Sequence, residues 1–210
     1  MKITILNASP MAENSISQQL IERLLPYLSD EEYGILALNA QMDENFAVNV
    51  INASDAVILV APVYMAGLPS SAVAGLDLIE AKFKKKDLKI GAVVHSGNYE
   101  KQNTVPALNL IRHWCIRNGY TYAGGIGIGG SEIIASMTKF PMEYGPFHRL
   151  DKAYTSLVQS LKDGNGEDTC FSTLGPRWFY MQWTRHHWKK EAKKNGISSG
   201  ELSQKAKRPY

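Results

Sequence analysis

The sequence predicts an α/β protein built on a doubly wound parallel sheet. Two observations carry this: apolar strand-like runs alternate with helix-period segments, and the central runs are apolar on both faces. Val57-Ile58-Leu59-Val60 and Ile90-Gly91-Ala92-Val93-Val94 leave no polar side for water, as parallel strands covered by helices above and below require. A chain of 210 residues with 44% hydrophobic content can bury a sizeable core in one domain, expected at 1–165, with an extension at 166–210.

Lys2-Ile3-Thr4-Ile5-Leu6-Asn7 begins the pattern as a strand over 2–7. A helix over 15–28 follows, entered through Asn14 and Ser15, which are residue types that cap helix N-termini. The run at 33–38 is a second strand and 45–53 a second helix. Strand 55–61 then leads to a helix over 70–83, strand 88–95 to a helix over 103–118, and strand 121–128 to a helix over 144–162. Five strands of this kind commonly take the order 2-1-3-4-5. That order opens a ligand crevice at the carboxyl ends of strands 1 and 3, where the strand sequence reverses.

Two loops occupy those ends. Asn7-Ala8-Ser9-Pro10-Met11-Ala12-Glu13-Asn14-Ser15 offers small and hydroxyl residues before a helix start, a combination that cradles an anion. Ser9, Asn14 and Ser15 are its side-chain donors, and the N–H groups near Met11 and Ile16 complete it. Asn14 or Ser15 also caps the helix in any reading, and the GxxxxGK[ST] pattern of a nucleotide P-loop is absent. The second loop, Ala61-Pro62-Val63-Tyr64-Met65-Ala66-Gly67-Leu68-Pro69, brackets an aromatic with two prolines and suits a flat apolar ligand. A phosphorylated planar cofactor fits both. A third segment, Val94 to Glu100, ends the fourth strand on the same rim, where Gly97-Asn98 permits a tight turn.

Ile5-Leu6-Asn7-Ala8-Ser9-Pro10 with Asn14-Ser15, and Ala61-Pro62-Val63-Tyr64 with Leu68-Pro69 and the helix through Asp77, resemble the two signature segments of the flavodoxin-like NAD(P)H-dependent FMN reductases. The likeness runs through residues 1–135. Pro176-Arg177-Trp178 through Trp188, Ala192 to Gly196 and Arg208-Pro209-Tyr210 are also similar to the C-terminal extension of some flavodoxin-like oxidoreductases. The resemblance implies a flavodoxin-like FMN-binding domain, NADH or NADPH as co-substrate, a small-molecule electron acceptor (a quinone, azo or nitro compound, or flavin), and a homodimer. It further implies that Pro62, Val63, Tyr64 and Met65 meet the flavin ring, and Ser96, Gly97 and Asn98 its pyrimidine side.

Departures from the family pattern have chemical content. Ala8 replaces a usual glycine, which is tolerable at negative φ. Met11 stands where many members carry Arg, so one favourable charge for phosphate is missing. The cysteine cluster of the related iron–sulfur flavoproteins has no counterpart between Leu38 and Ala53, so no such cluster is expected. Two alternatives stay open. A flavodoxin-type electron carrier would be acidic with a T-x-T-G-x-T loop, neither of which is present, and a flavin-free binding module could use the same fold.

No catalytic residue is assigned, because the flavin would carry the chemistry. His95 and Glu100 are the titratable groups aimed at the rim, and a histidine at a strand end more often serves structure than proton donation. Gly124 to Gly130 is not read as a dinucleotide fingerprint, since no convincing helix begins immediately after it; its glycines suit close packing, and Ser131-Glu132 could reach the cofactor edge. His186-His187 point about 100° apart on a helix and complete no metal site.

Cys115 and Cys170 lack CxxC spacing, the N-terminus carries no secretory pattern, and no run approaches a membrane span, which makes a cytoplasmic protein the expectation. Neither nucleic-acid binding nor integral membrane association is expected. Residues 177–210 hold nine Lys/Arg against Glu191 and Glu201, a balance of +7 that leaves −4 for the rest of the chain. Trp178, Phe179, Tyr180, Trp183 and Trp188 give that tail more aromatic surface than solvation needs, and packing on the domain or on a second subunit is the expected cover, ahead of contact with a membrane interface or cover for a partner subunit's active site.

Overall fold

A computed structural model describes residues 1–11, 14–38, 42–83, 87–137, 141–173 and 175–204. Ala12 and Glu13 of the first loop and the terminal Arg208-Pro209-Tyr210 lie outside the described residues. The chain divides into two units, Met1–Thr173 and Leu174–Tyr210.

The first unit alternates strand and helix as the periodicity requires. Its strands are β1 (Lys2–Asn7), β2 (Glu32–Ala37), β3 (Ala56–Pro62), β4 (Lys89–Ser96), β5 (Thr121–Gly129) and β6 (Thr169–Ser172). Between them lie α1 (Ile16–Leu24), α2 (Glu44–Asn52), α3 (Ser70–Lys82), α4 (Val105–Asn118), the short α5 (Glu132–Ser136) and α6 (His148–Asp163). All pairings are parallel, in the order β2-β1-β3-β4-β5-β6.

Among the described residues the sheet therefore has six strands and not the expected five. Residues 169–172, read from sequence as part of the C-terminal extension, pair with β5 from Ile126↔Thr169 to Gly129↔Ser172. This strand is four residues long and buries only Phe171 fully, so it has neither the length nor the alternation that marks a strand in sequence. Its approach is held by Asp168, which accepts from Tyr122 Oη at 2.6 Å and pairs with Arg112 of α4. Glycine makes room for it: Gly124 has φ +90°, and a Cβ there would stand 2.8 Å from the Glu167 carbonyl oxygen.

Strand alternation splits the core in two. Ile3, Ile5, Ile58, Val60, Val93, Ile126 and Ile128 share one face with Leu20, Ile21 and Leu24 of α1 and Leu150, Tyr154, Leu157 and Leu161 of α6. Leu6, Val57, Leu59, Ala61, Ile90, Ala92 and Val94 share the other with Leu76 and Ile79 of α3 and Leu108, Ile111 and Trp114 of α4. Burial of each Ile, Leu or Val side chain contributes about 1.5–3 kcal/mol, so both faces must be covered for β3 and β4 to be stable. Tyr154 Oη donates to the Leu20 carbonyl at 2.8 Å and joins the two helices of the first face. The sheet thus rigidly presents the carboxyl ends of β1, β3, β4 and β5 along one rim.

Among the described residues the second unit holds one long helix, α7 (Arg177–Lys194), followed by a turn and a short 3-10 helix over Glu201–Ser203. Gly196, with φ +76°, stops the helix in a left-handed conformation; its N–H and that of Ile197 return to the carbonyls of Lys193 and Ala192. Among the described residues no helix is long and apolar enough to cross a membrane.

Candidate active site

The first loop leaves β1 at Asn7 and is tied down at once. Ala8 N–H donates to the Val60 carbonyl at 2.8 Å, so the loop base is fixed to β3 across the switch point of the sheet. Ala8 is not among the positive-φ residues, and this removes the need for glycine there. Asn7 Oδ1 accepts from Ser9 N–H at 3.1 Å, and Ser9 Oγ from Met11 N–H at 3.3 Å. The Met11 amide is therefore turned to the serine, while its side chain stands exposed. Asn14 then takes φ 57° and Ser15 caps α1. Ser15 Oγ accepts from Gln18 N–H at 3.1 Å, an N-cap that accounts for one of the free amides of the first turn. Ile16 and Ser17 have no carbonyl one turn back, so their N–H groups sit at the positive end of the helix. Ser9 and Ser15 are both buried at this edge. Their hydroxyl protons remain available to an acceptor, since each oxygen serves its loop as an acceptor.

The second loop leaves β3 at Pro62. Val63 N–H donates to the His95 carbonyl at 2.7 Å, which joins this loop to the end of β4. Tyr64 and Gly67 then exchange two hydrogen bonds of 2.9 Å, closing a turn whose two central residues are Met65 at φ 51° and Ala66 at φ 63°. Two consecutive left-handed residues normally call for Asn-Gly, and a side chain at each costs about 1 kcal/mol or more. The sequence gives no sign of this turn, because Met and Ala do not favour it. Tyr64 is 57% exposed and Met65 fully exposed, so the strained turn holds two large apolar side chains in water.

The third segment closes the rim. Ser96 Oγ accepts from Asn98 N–H at 3.1 Å, shaping the turn at Gly97. Gly130 N–H donates to the Asn98 carbonyl and Ser131 N–H to that of Ser96, which fastens the end of β5 to the end of β4. Glu132, first residue of α5, lies against Gly97: a Cβ on that glycine would stand 3.2 Å from its Oε1. The short helix α5 directly after the glycine run was not expected, and it brings this carboxylate to the rim.

His95 is the hub of the arrangement. Its Nε2 lies 2.8 Å from Ser17 Oγ and its Nδ1 lies 3.1 Å from Ser131 Oγ. Burial pushes its pKa down to about 3, so the ring is neutral, with one nitrogen donating and the other accepting. Both nitrogens are occupied, which suits a brace between α1, β4 and the start of α5 and not a proton donor. Ser17 was missed in the sequence because a serine inside a first helical turn has many uses. The only local signal is its place two residues after the cap.

The three predicted segments thus share the carboxyl rim of the sheet, with Ser9, Asn14, Ser15 and Ile16 on β1's side, Pro62, Val63, Tyr64 and Met65 on β3's, and Ser96, Gly97 and Asn98 on β4's. Among the described residues no group of three His, Cys, Asp or Glu side chains could hold a metal ion.

No protein-family model and no curated protein matches the sequence. Solved structures do. The Trp repressor binding protein from Bacillus subtilis is similar with a TM-score of 0.56 at 14% identity, over 75% of this chain and 98% of that one. The NAD(P)H:quinone oxidoreductase from Methanothermobacter marburgensis gives 0.52 at 16% identity, over 78% and 94%. A flavodoxin, WrbA-like protein from Agrobacterium tumefaciens gives 0.51 at 14% identity, over 78% and 96%. At these identities the likeness is one of fold, and together with the strand order it establishes that the chain has the flavodoxin-like fold.

Proposed function

We propose that this protein is an FMN-dependent oxidoreductase that takes hydride from NADH or NADPH and delivers electrons to a small acceptor such as a quinone, an azo or nitro compound, or free flavin. The observation that carries the reading is the pairing, at the sheet's switch point, of a serine-lined helix start with a strained turn displaying Tyr64 and Met65. The first matches a phosphate and the second a flat ring. A similar structure is described as an NAD(P)H:quinone oxidoreductase, which supports the reaction class.

The residues fit FMN. Ser9 and Ser15 hydroxyls, with the Ile16 and Ser17 amides, would hold the phosphate on the α1 N-terminus. Pro62 to Met65 would offer backbone polar groups and apolar surface to the ring, and Ser96, Gly97 and Asn98 its pyrimidine edge. FMN, when bound, supplies the hydride-accepting and electron-donating chemistry. The protein's task is orientation: the His95 brace fixes α1 against β4, so that phosphate and ring sites keep one spacing. No side chain of the rim needs to move a proton for hydride transfer.

One spectrum tests this. Purified protein titrated with FMN should acquire a bound-flavin absorbance, and anaerobic NADH or NADPH should bleach it within seconds without any other protein. Bleaching only after a separate reductase is added would make the chain an electron carrier, and failure to bind flavin would leave a binding module of the same fold.

A further inference from the structure

The second unit has a surface the oxidoreductase reading does not use. Trp178, Met181, Arg185 and Trp188 recur at helix spacing and share one stripe of α7, where Trp178 is 67% and Trp188 57% exposed. Beside the stripe, His186, Lys189, Lys190 and Lys193 line a cleft of about 630 Å³, closed on its far side by Gly196 to Ser199. The left-handed Gly196 turns the chain back to make that wall, and Ile197 and Leu202 beyond it are exposed. Lys189, Lys190 and Lys193 make no ion pair among the described residues, whereas Lys194 is paired with Glu191 at 2.6 Å. An aromatic stripe next to a basic cleft is therefore presented to solvent on one element.

We propose that α7 docks this protein on the surface of an anionic lipid bilayer. Tryptophan rings favour the headgroup–acyl boundary, and lysines and arginines at the same depth meet lipid phosphates. The helix lies in the interface and does not span it, since its 18 residues carry six Lys/Arg. Charge selects this occupant over a second copy. Residues 177–210 balance at +7 while the remainder is −4, and a second copy seated on this surface would bring two surfaces of the same charge together. An anionic bilayer is complementary to the same face and accepts the tryptophans in one plane.

The test uses the full chain with vesicles of phosphatidylcholine alone or with roughly one third phosphatidylglycerol, read by co-sedimentation and by tryptophan fluorescence. Binding to the anionic vesicles with a blue shift, release at high salt, and weak binding to neutral vesicles are expected. At about fivefold per lysine, Lys189→Gln, Lys190→Gln and Lys193→Gln together should weaken binding roughly a hundredfold. Trp178→Ser with Trp188→Ser should remove the blue shift. Unfolding transitions of both variants serve as the check on folding. No association with anionic vesicles at low salt, or equal association with neutral ones, overturns the proposal. So does a dimer in sedimentation equilibrium that the tryptophan substitutions dissociate, or preferential binding of a single-stranded oligonucleotide at the same salt.

Discussion

Ser17 Oγ, in the first turn of α1, lies 2.8 Å from Nε2 of His95 at the end of β4, and both residues are buried. Ser131 holds the other ring nitrogen at 3.1 Å. A neutral imidazole meets these two hydroxyls by accepting from one and donating to the other, and a cation could only donate to both. The brace therefore depends on the charge state of one ring.

That dependence fixes a pH profile. The folded His95 pKa is about 3 and its ordinary value 6.5, so between these limits the unfolded chain binds a proton that the folded chain does not. The contribution of this group is complete above pH 6.5 and falls as pH is lowered, by up to about 1.4 kcal/mol per pH unit. Urea midpoints measured from pH 7 to pH 5, above the carboxylate range, should decline in the wild type. In His95→Gln the decline should flatten while stability at pH 7 drops by about 2–4 kcal/mol, as two buried hydroxyls lose their partner. Midpoints in the wild type that stay constant over that interval would sink the neutral brace.

Ser15→Asp separates the cap from the phosphate. Aspartate is as good an N-cap as serine, so Gln18 N–H keeps its acceptor and thermal unfolding should change little. The new carboxylate would oppose a phosphate at the same helix start, and FMN affinity should fall at least tenfold. Riboflavin, which has no phosphate, should bind as before. Ser9→Ala should act in the same direction through loss of a charge-assisted hydrogen bond, by about 1.5–3 kcal/mol. Equal losses for the two ligands would put the phosphate elsewhere.

Ala66→Gly addresses the strained turn. Ala66 has φ 63°, and glycine there removes the clash of Cβ with the backbone, so the variant should gain up to about 1 kcal/mol in chemical denaturation. Met65→Ser keeps the turn but deletes the exposed apolar surface, and flavin affinity should weaken for FMN and riboflavin alike. A Met65→Ser protein with unchanged affinity for both would show that this side chain does not meet the ring.

Gly129→Ala tests the packing at the end of β5. A Cβ there would stand 2.4 Å from the Tyr99 carbonyl oxygen and 2.8 Å from Lys101 N, both backbone atoms that cannot rotate away. Overpacking of this kind costs about 1–3 kcal/mol or more, and the displaced segment carries Gly97 and Asn98. Stability and flavin affinity should fall together. Loss of stability with normal affinity would mean that Gly97 and Asn98 lie off the flavin site.

The alternation of strands and helices, the doubly buried character of β3 and β4, and the loops at the ends of β1, β3 and β4 were legible in the sequence. They are written in short-range periodicity, which one strand or one helix turn is enough to express. Tertiary structure decided the rest. β6 exists because Asp168 and the close-packed Gly124 deliver a four-residue segment to the edge of β5, and no periodicity announces that. Met65 and Ala66 are left-handed because Tyr64 and Gly67 close on each other, against the preference of both residues. His95 reaches Ser17 across 78 residues and Ser131 across 36, a contact that only the folded sheet creates. Local pattern specifies which segments are strands and helices; the partners of a buried polar group are set by whichever elements the completed sheet brings beside it.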